Sequence, residues 1–130
     1  MLNGIDTISF PIRTKSEDFC EFLVEVRHNN PVGRICLLAD NFATHKAKRV
    51  REKANELNII LIYLPPYSPD LNPIEYLWKS IKRIISISEI DTREELIKTA
   101  RDGFFGLTAS LSAARMWIPR FLYDKLDLLC

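Results

Sequence analysis

The chain has 130 residues, 47% of them hydrophobic and 27% charged, with a net charge of +1. That length supports one domain with a real core, and a near-neutral balance excludes nucleic-acid binding by bulk positive charge, so any such role must rest on local cations. No apolar run approaches the roughly 18 residues of a membrane span, and the opening MLNGIDTISF lacks the basic-then-apolar order of a secretory signal.

Asn3-Gly4 is the strongest two-residue hairpin signal in the chain, because both central residues of a type I′ turn need positive φ. Ile8, Phe10 and Ile12 then alternate with Thr7 and Ser9, which predicts a half-buried strand over residues 5 to 12. Only Met1 and Leu2 precede the turn, so it reads either as the cut end of a hairpin or as a fraying terminus. Ser16 is placed to cap a helix whose stripe is Phe19, Cys20, Phe22, Leu23 and Val26, ending near Asn29-Asn30-Pro31. Residues 34 to 39, RICLLA, form a short apolar run that ends at Asp40. Ala43, Ala47, Val50, Ala54 and Leu57 recur at helical spacing, with Lys46, Lys48, Arg49, Arg51 and Lys53 opposite. Residues 59 to 64, IILIYL, are a second apolar run. Two such runs flanking a helix predict a βαβ unit with parallel strands.

Four of the seven prolines fall within residues 65 to 73, and a helix follows from about Pro73 with Ile74, Leu77, Trp78, Ile81 and Ile85 on its inner face. From Asp91 the chain is helical again: Thr92 and Glu95 match a capping box, Gly103 and Gly106 are expected to break the pattern, and a last helix is expected from about Ser110 through Trp117. The three cysteines form no C-x-x-C pair. Cys20 and Cys36 lie in apolar runs, which predicts buried free thiols in a reducing cytosol rather than a disulfide or a zinc site.

In open α/β sheets the working groups gather beyond the carboxyl ends of the strands. Asp40 ends one strand; the neighbouring strand ends on the same edge at Leu64, and Glu75 follows on the first turn of the next helix. The two carboxylates are therefore expected to face one cleft. Carboxylates so placed could hold Mg²⁺, a hard ion that prefers oxygen ligands, and a pair of such ions activates a nucleophile and stabilises the leaving oxygen of a phosphodiester. Plainer readings stand beside this one. Asn72-Pro73-Ile74-Glu75 fits a capping box with proline at the first helical position, Glu75 can pair with Lys79 one turn on, and Asp40-Asn41 can be an ordinary turn. His45 could orient a ligand or be an exposed polar residue. The Lys46–Lys53 face could be solvated and balanced by Glu52 and Glu56, and Lys79, Lys82 and Arg83 suit either a phosphate backbone or water.

Taken together, "LADNFATHKAKRV" followed by "LPPYSPDLNPIEYLWKSIK" closely resembles the catalytic core of DDE transposases of the mariner and insertion-sequence 630 superfamily. The resemblance implies a ribonuclease H-like α/β fold that cuts and joins DNA with two divalent ions, Mg²⁺ or Mn²⁺. It maps the family's second and third acids onto Asp40 and Glu75, with residues 41–74 between them, as catalytic metal ligands. Asn41, His45, Tyr67, Ser68, Pro69, Asn72 and Pro73 match the surrounding motif, which implies supporting roles for Asn41, His45 and Asn72. Lys46, Lys79, Lys82 and Arg83 would face DNA.

The family's first aspartate lies in the first strand, upstream of the hairpin turn with which this sequence opens. Asp6 follows the turn and does not match that role. The chain thus reads as the C-terminal part of a transposase catalytic domain, with about three strands and four to five helices. It is expected to be inactive alone or to need a partner, either an upstream transposase half or a second copy in a homodimer. The strands at 5 to 12 and 34 to 39 would have lost the strands between them, so either they pair directly or their edges are covered by another chain. A non-catalytic assembly or DNA-binding remnant is the alternative. Double-stranded transposon-end DNA is the implied partner, and a cytoplasmic, nucleoid-associated, prokaryotic setting is expected.

Overall fold

The computed structural model describes residues 5–11, 13, 15–66 and 73–109, which fall in two compact units, Ser9–Ser68 and Met1–Ile8 with Pro69–Cys130. The first unit contains α1 (Ser16–Asn29), β1 (Ile35–Ala39), a 3-10 turn (Ala43–Lys46), α2 (Lys48–Glu56) and β2 (Ile59–Tyr63). β1 and β2 pair in parallel, from Ile35 opposite Ile59 to Ala39 opposite Tyr63. Strand alternation sends Ile35, Leu37, Ile59 and Leu61 to one face. There they join Leu23 and Val26 of α1 and Val50 and Ala54 of α2 in one core, with Leu23 and Val50 fully buried.

The same alternation corrects one expectation. Cys36 points to the other face of the pair and is exposed rather than buried, because α1 and α2 both pack on the odd-numbered side. Cys20 is half-buried, and burial pushes its thiol above the ordinary range.

Three boundaries also differ from the sequence pattern. Residues 5–11 form no strand, and the only sheet among the described residues is the β1–β2 pair, so direct pairing with β1, one of the two arrangements expected, is not made. Alternation assigns faces but supplies no ladder partner. Ser9, Phe10 and Pro11 instead line a groove with Asp18, Glu21, Phe22 and Glu25 of α1, and Pro11 has no N–H to give a neighbour. Helix α1 starts from Lys15, not Ser16. The cap is provided from within, by Asp18, whose carboxylate accepts the Lys15 backbone N–H at 2.8 Å.

The single helix expected from Ala43 is broken at Ala47, which is extended (φ −53, ψ 143) between the 3-10 turn and α2. The His45 carbonyl accepts the Tyr63 hydroxyl at 2.8 Å, and α2 restarts on the Ala47 carbonyl, which accepts from Val50 and Arg51. The Asn3-Gly4 turn, residues 67–72 of the proline-rich loop, Cys130 and the helix expected from Ser110 lie outside the described residues.

The second unit is built on α3 (Pro73–Ser86) and α4 (Arg93–Ala109). Ile81 of α3 is fully buried, as are Ala100 and Phe104 of α4 to within a few per cent. The capping box at the start of α4 is present: Thr92 Oγ1 accepts the Glu95 N–H at 3.1 Å, and Glu95 Oε2 accepts the Asp91 and Thr92 N–H groups. Gly103 and Gly106 do not break α4, which runs through both. A glycine costs a helix interior about 1 kcal/mol relative to alanine, and packing on α3 outweighs it.

At Gly103 the missing side chain also has a use. A Cβ there would sit 3.3 Å from Ile84 Cδ1 and 3.8 Å from Ile81 Cγ1, so the two helices touch at this glycine. Gly103→Ala is expected to be near neutral, helix propensity offsetting a small push on the Ile84 tip. Gly103→Val is expected to lower stability by about 1–3 kcal/mol through overpacking. Thermal unfolding of the two variants checks this, and an unchanged midpoint for the valine would contradict the close approach. No helix among the described residues is long and apolar enough to cross a membrane.

Candidate active site

Parallel pairing brings the carboxyl ends of β1 and β2 to one edge, where Leu64 N–H donates to Ala39 O at 2.9 Å. Asp40 is the next residue after β1, and its side chain is 57% exposed. Two contacts fix it, and both fall on one oxygen. Oδ1 accepts the Phe42 backbone N–H at 3.3 Å, a local turn of the kind Asp favours, and it lies 2.6 Å from His45 Nδ1. The latter contact is close but not aligned as a hydrogen bond. No hydrogen bond or ion pair among the described residues falls on Oδ2.

His45 is not the exposed polar residue that its position at a helix start allowed. Its side chain is 24% exposed. The Phe19 ring lies against it with centroids 4.2 Å apart, and Phe42 meets it edge-on at 5.9 Å and 68°. Tyr63, the last residue of β2, holds the backbone by donating to the His45 carbonyl. Burial pushes the Tyr63 phenol above its ordinary range, so it stays a donor at neutral pH. Asn41 lies in the same turn, half-buried, and its Oδ1 is buried with no hydrogen-bond partner. A buried acceptor left open is rare enough to need a reason.

Phe19 and Tyr63 are the members of this cluster that the sequence did not single out. Phe19 read as part of an apolar stripe and Tyr63 as the end of an apolar run. Only the tertiary fold shows that both grip His45.

Glu75 lies in the second unit, in the first turn of α3, where the helix dipole favours a carboxylate. It is half-buried and makes no hydrogen bond or ion pair with the described residues. The expected pair with Lys79 does not form, because Lys79 Nζ leans over the Tyr76 ring instead, 5.5 Å from its centroid. Asn72, the expected cap, is outside the described residues. Lys79, Lys82 and Arg83 are all exposed, and their spacing from Glu75 puts them along one side of α3.

Around α2 most of the positive charge is balanced within the unit. Lys48 pairs with Glu52, Lys53 with Glu56, and Arg49 with Glu17 of α1. Lys46 and Arg51 are exposed and have no ion-pair partner among the described residues. Of these two, Lys46 is among the residues for which the resemblance implied a DNA-facing role, and Arg51 is not.

Residues 4–97, more than half the chain, match the family description "DDE superfamily endonuclease". This chain belongs to that family. Over 68 residues it is 35% identical to the Transposable element Tcb2 transposase of Caenorhabditis briggsae, a stretch covering 52% of this chain and 25% of that protein. Its structure is similar to that of the catalytic domain of Mos1 mariner transposase, with a TM-score of 0.62 and 25% identity, covering 72% of this chain and 52% of the other. The chain thus matches about a quarter of the curated transposase and about half of the solved catalytic domain. The fold is α/β and ribonuclease H-like, as the motif implied, and the chain corresponds to part of a transposase catalytic domain. The family generally uses divalent metal ions.

Proposed function

We propose that Asp40 and Glu75 are two of the carboxylates that hold Mg²⁺ or Mn²⁺ for cutting and joining DNA. On this reading the chain works together with a partner, either an upstream transposase half or another copy of this chain. The observation that carries the proposal is the asymmetry of Asp40: Oδ1 faces the Phe42 N–H and His45, no hydrogen bond or ion pair among the described residues falls on Oδ2, and the side chain is 57% exposed. A carboxylate fixed on one oxygen and open on the other suits a hard cation, and the unpartnered Oδ1 of Asn41 beside it suits a donor such as metal-bound water. Glu75, half-buried without a partner, is of the same donor type.

When bound, the ions would polarise the phosphodiester and activate the attacking oxygen. The chain's own residues do the rest. His45 and the Phe42 N–H orient Asp40, and Tyr63 and Phe19 hold His45. Lys46, Arg51, Lys79, Lys82 and Arg83 supply exposed charge for a duplex backbone, each neutralised phosphate releasing counterions.

The test is a Mn²⁺ titration followed by NMR line broadening. Weak binding that broadens amides near residues 39–46 and 73–77, lost in Asp40→Asn and in Glu75→Gln, is the expected result. No selective broadening in the wild type would remove the metal role. Strong metal-dependent nicking by the purified chain alone, abolished by Glu75→Gln, would overturn the need for a partner. A wild type that neither binds metal nor cleaves but still retains duplex DNA would instead fit the non-catalytic reading.

A further inference from the structure

Phe42 is left unused by the metal reading. It lies two residues after Asp40, its backbone N–H is tied to Asp40 Oδ1, and its ring and the His45 ring are T-shaped, with centroids 5.9 Å apart. Yet the residue is 55% exposed. A single exposed apolar side chain is ordinary on a protein surface. This one differs in how firmly it is placed. The backbone is anchored to the candidate ligand, and the ring packs against the His45 imidazole, which Phe19 also touches, while Tyr63 holds the backbone carbonyl of His45. Four residues on, Lys46 offers an exposed cation without an ion-pair partner among the described residues. An open aromatic surface at a fixed distance from a phosphate-handling carboxylate, with a cation close by in sequence, is the combination that single-stranded nucleic acid recognises. Bases stack on the ring while the backbone follows the charge.

We propose that Phe42 is a stacking platform for an unpaired base next to the phosphate handled at Asp40, and so a specificity-determining residue that favours DNA ends with separated strands over blunt duplex. The inference rests on the metal-and-DNA reading of Asp40. A base drawn out of the duplex loses its stacking neighbours, and the Phe42 ring replaces one of them. Every base has a stacking face, so the preference is for strand separation rather than for sequence.

The test uses the full chain and two fluorescent oligonucleotides, a blunt duplex and the same duplex with a short single-stranded end, with Ca²⁺ as the divalent ion. Wild type is expected to bind the single-stranded end about 5- to 150-fold more tightly, the range that one base–aromatic stack produces. Phe42→Ala should lose that preference while keeping its blunt-duplex affinity, and Phe42→Trp should keep or increase it. A 2-aminopurine in the unpaired end should be quenched by wild type and Phe42→Trp but not by Phe42→Ala. Thermal unfolding of Phe42→Ala and of Phe42→Leu checks that the fold is intact. If Phe42→Leu folds and binds like wild type, aromatic stacking is ruled out. An unchanged preference in Phe42→Ala overturns the proposal, as does a wild type that does not distinguish the two ends. A shift of Phe42→Ala from dimer to monomer with no change in DNA preference assigns the ring to a protein contact and overturns it too. Wild type that binds neither DNA would fail the underlying reading of the site, and this inference with it.

Discussion

Arg27→Ala is expected to lower the stability of the protein by about 3 kcal/mol, a large share of the roughly 5–15 kcal/mol that holds a domain of this size folded. Arg27 is half-buried at the end of α1, and its guanidinium serves four backbone carbonyls. Nε donates to Leu57 O at 2.7 Å, Nη1 to Asn30 O at 2.9 Å and Gly33 O at 3.0 Å, and Nη2 to Asn58 O at 3.0 Å. The acceptors belong to two connections that the helices and strands cannot tie down themselves, the turn before β1 and the turn between α2 and β2. Both contain a left-handed residue, Gly33 with φ +82 and Asn58 with φ +54.

A hydrogen bond from a charged donor contributes about 1.5–3 kcal/mol. Four on one side chain do not add, and water can reach the outer two, which brings the estimate down to the value given. Arg27→Lys should recover only a minority of the loss, because one ammonium cannot match a planar fork. Urea unfolding at constant slope would measure both. A loss below about 1 kcal/mol, within the range of one ordinary hydrogen bond, would mean the turns hold themselves. The clamp sits where both strands begin, and Asp40 and Tyr63 lie past and at their far ends. Five residues at about 3.3 Å each separate the two, so the expected damage is to the fold rather than to the geometry of the Asp40 turn.

What the sequence made legible was local. The two apolar runs, the helix between them, the start of α3 at Pro73 and the Thr92–Glu95 cap are each written in a few consecutive residues, and the structure has all of them. The family was legible for a similar reason, since its motifs are contiguous blocks. Features set by contacts distant in sequence were not. Alternation at Ile8 and Phe10 described a strand without naming a partner, and α1 took up part of that segment. The apolar spacing through Ala47 described a helix, but Tyr63 captured the carbonyl of His45 from the end of β2. Gly103 read as a breaker from intrinsic propensity, yet the side chain it lacks is what lets Ile84 and Ile81 approach. At the candidate site, Asp40 and Glu75 could be named from motif alone. The side chains that make His45 rigid could not, because Phe19 and Tyr63 sit in apolar patterns that any buried helix or strand shows.

That rigidity leads to the second large effect, at His45. His45→Ala removes the ring between Phe19 and Phe42 together with the Nδ1 contact to Asp40, but it leaves the carbonyl that Tyr63 uses. Partners that orient a metal ligand typically carry a 10- to 100-fold effect on metal affinity, so the Mn²⁺ affinity of the Asp40 turn should fall by roughly that factor. The lost ring contacts should cost about 1–2 kcal/mol of stability as well. Two further substitutions separate these effects. His45→Gln keeps a polar group able to reach Asp40 but loses the ring, so it should restore part of the Mn²⁺ affinity and little of the stability. His45→Phe keeps a ring for Phe19 and Phe42 but has no polar atom to face Asp40, so it should restore stability and leave Mn²⁺ binding weak. Line broadening of the amides near residues 39–46 reads the first quantity, and thermal unfolding reads the second. If His45→Phe bound Mn²⁺ as well as wild type, the imidazole would be only packing, and the 2.6 Å approach to Asp40 would have no part in holding a metal.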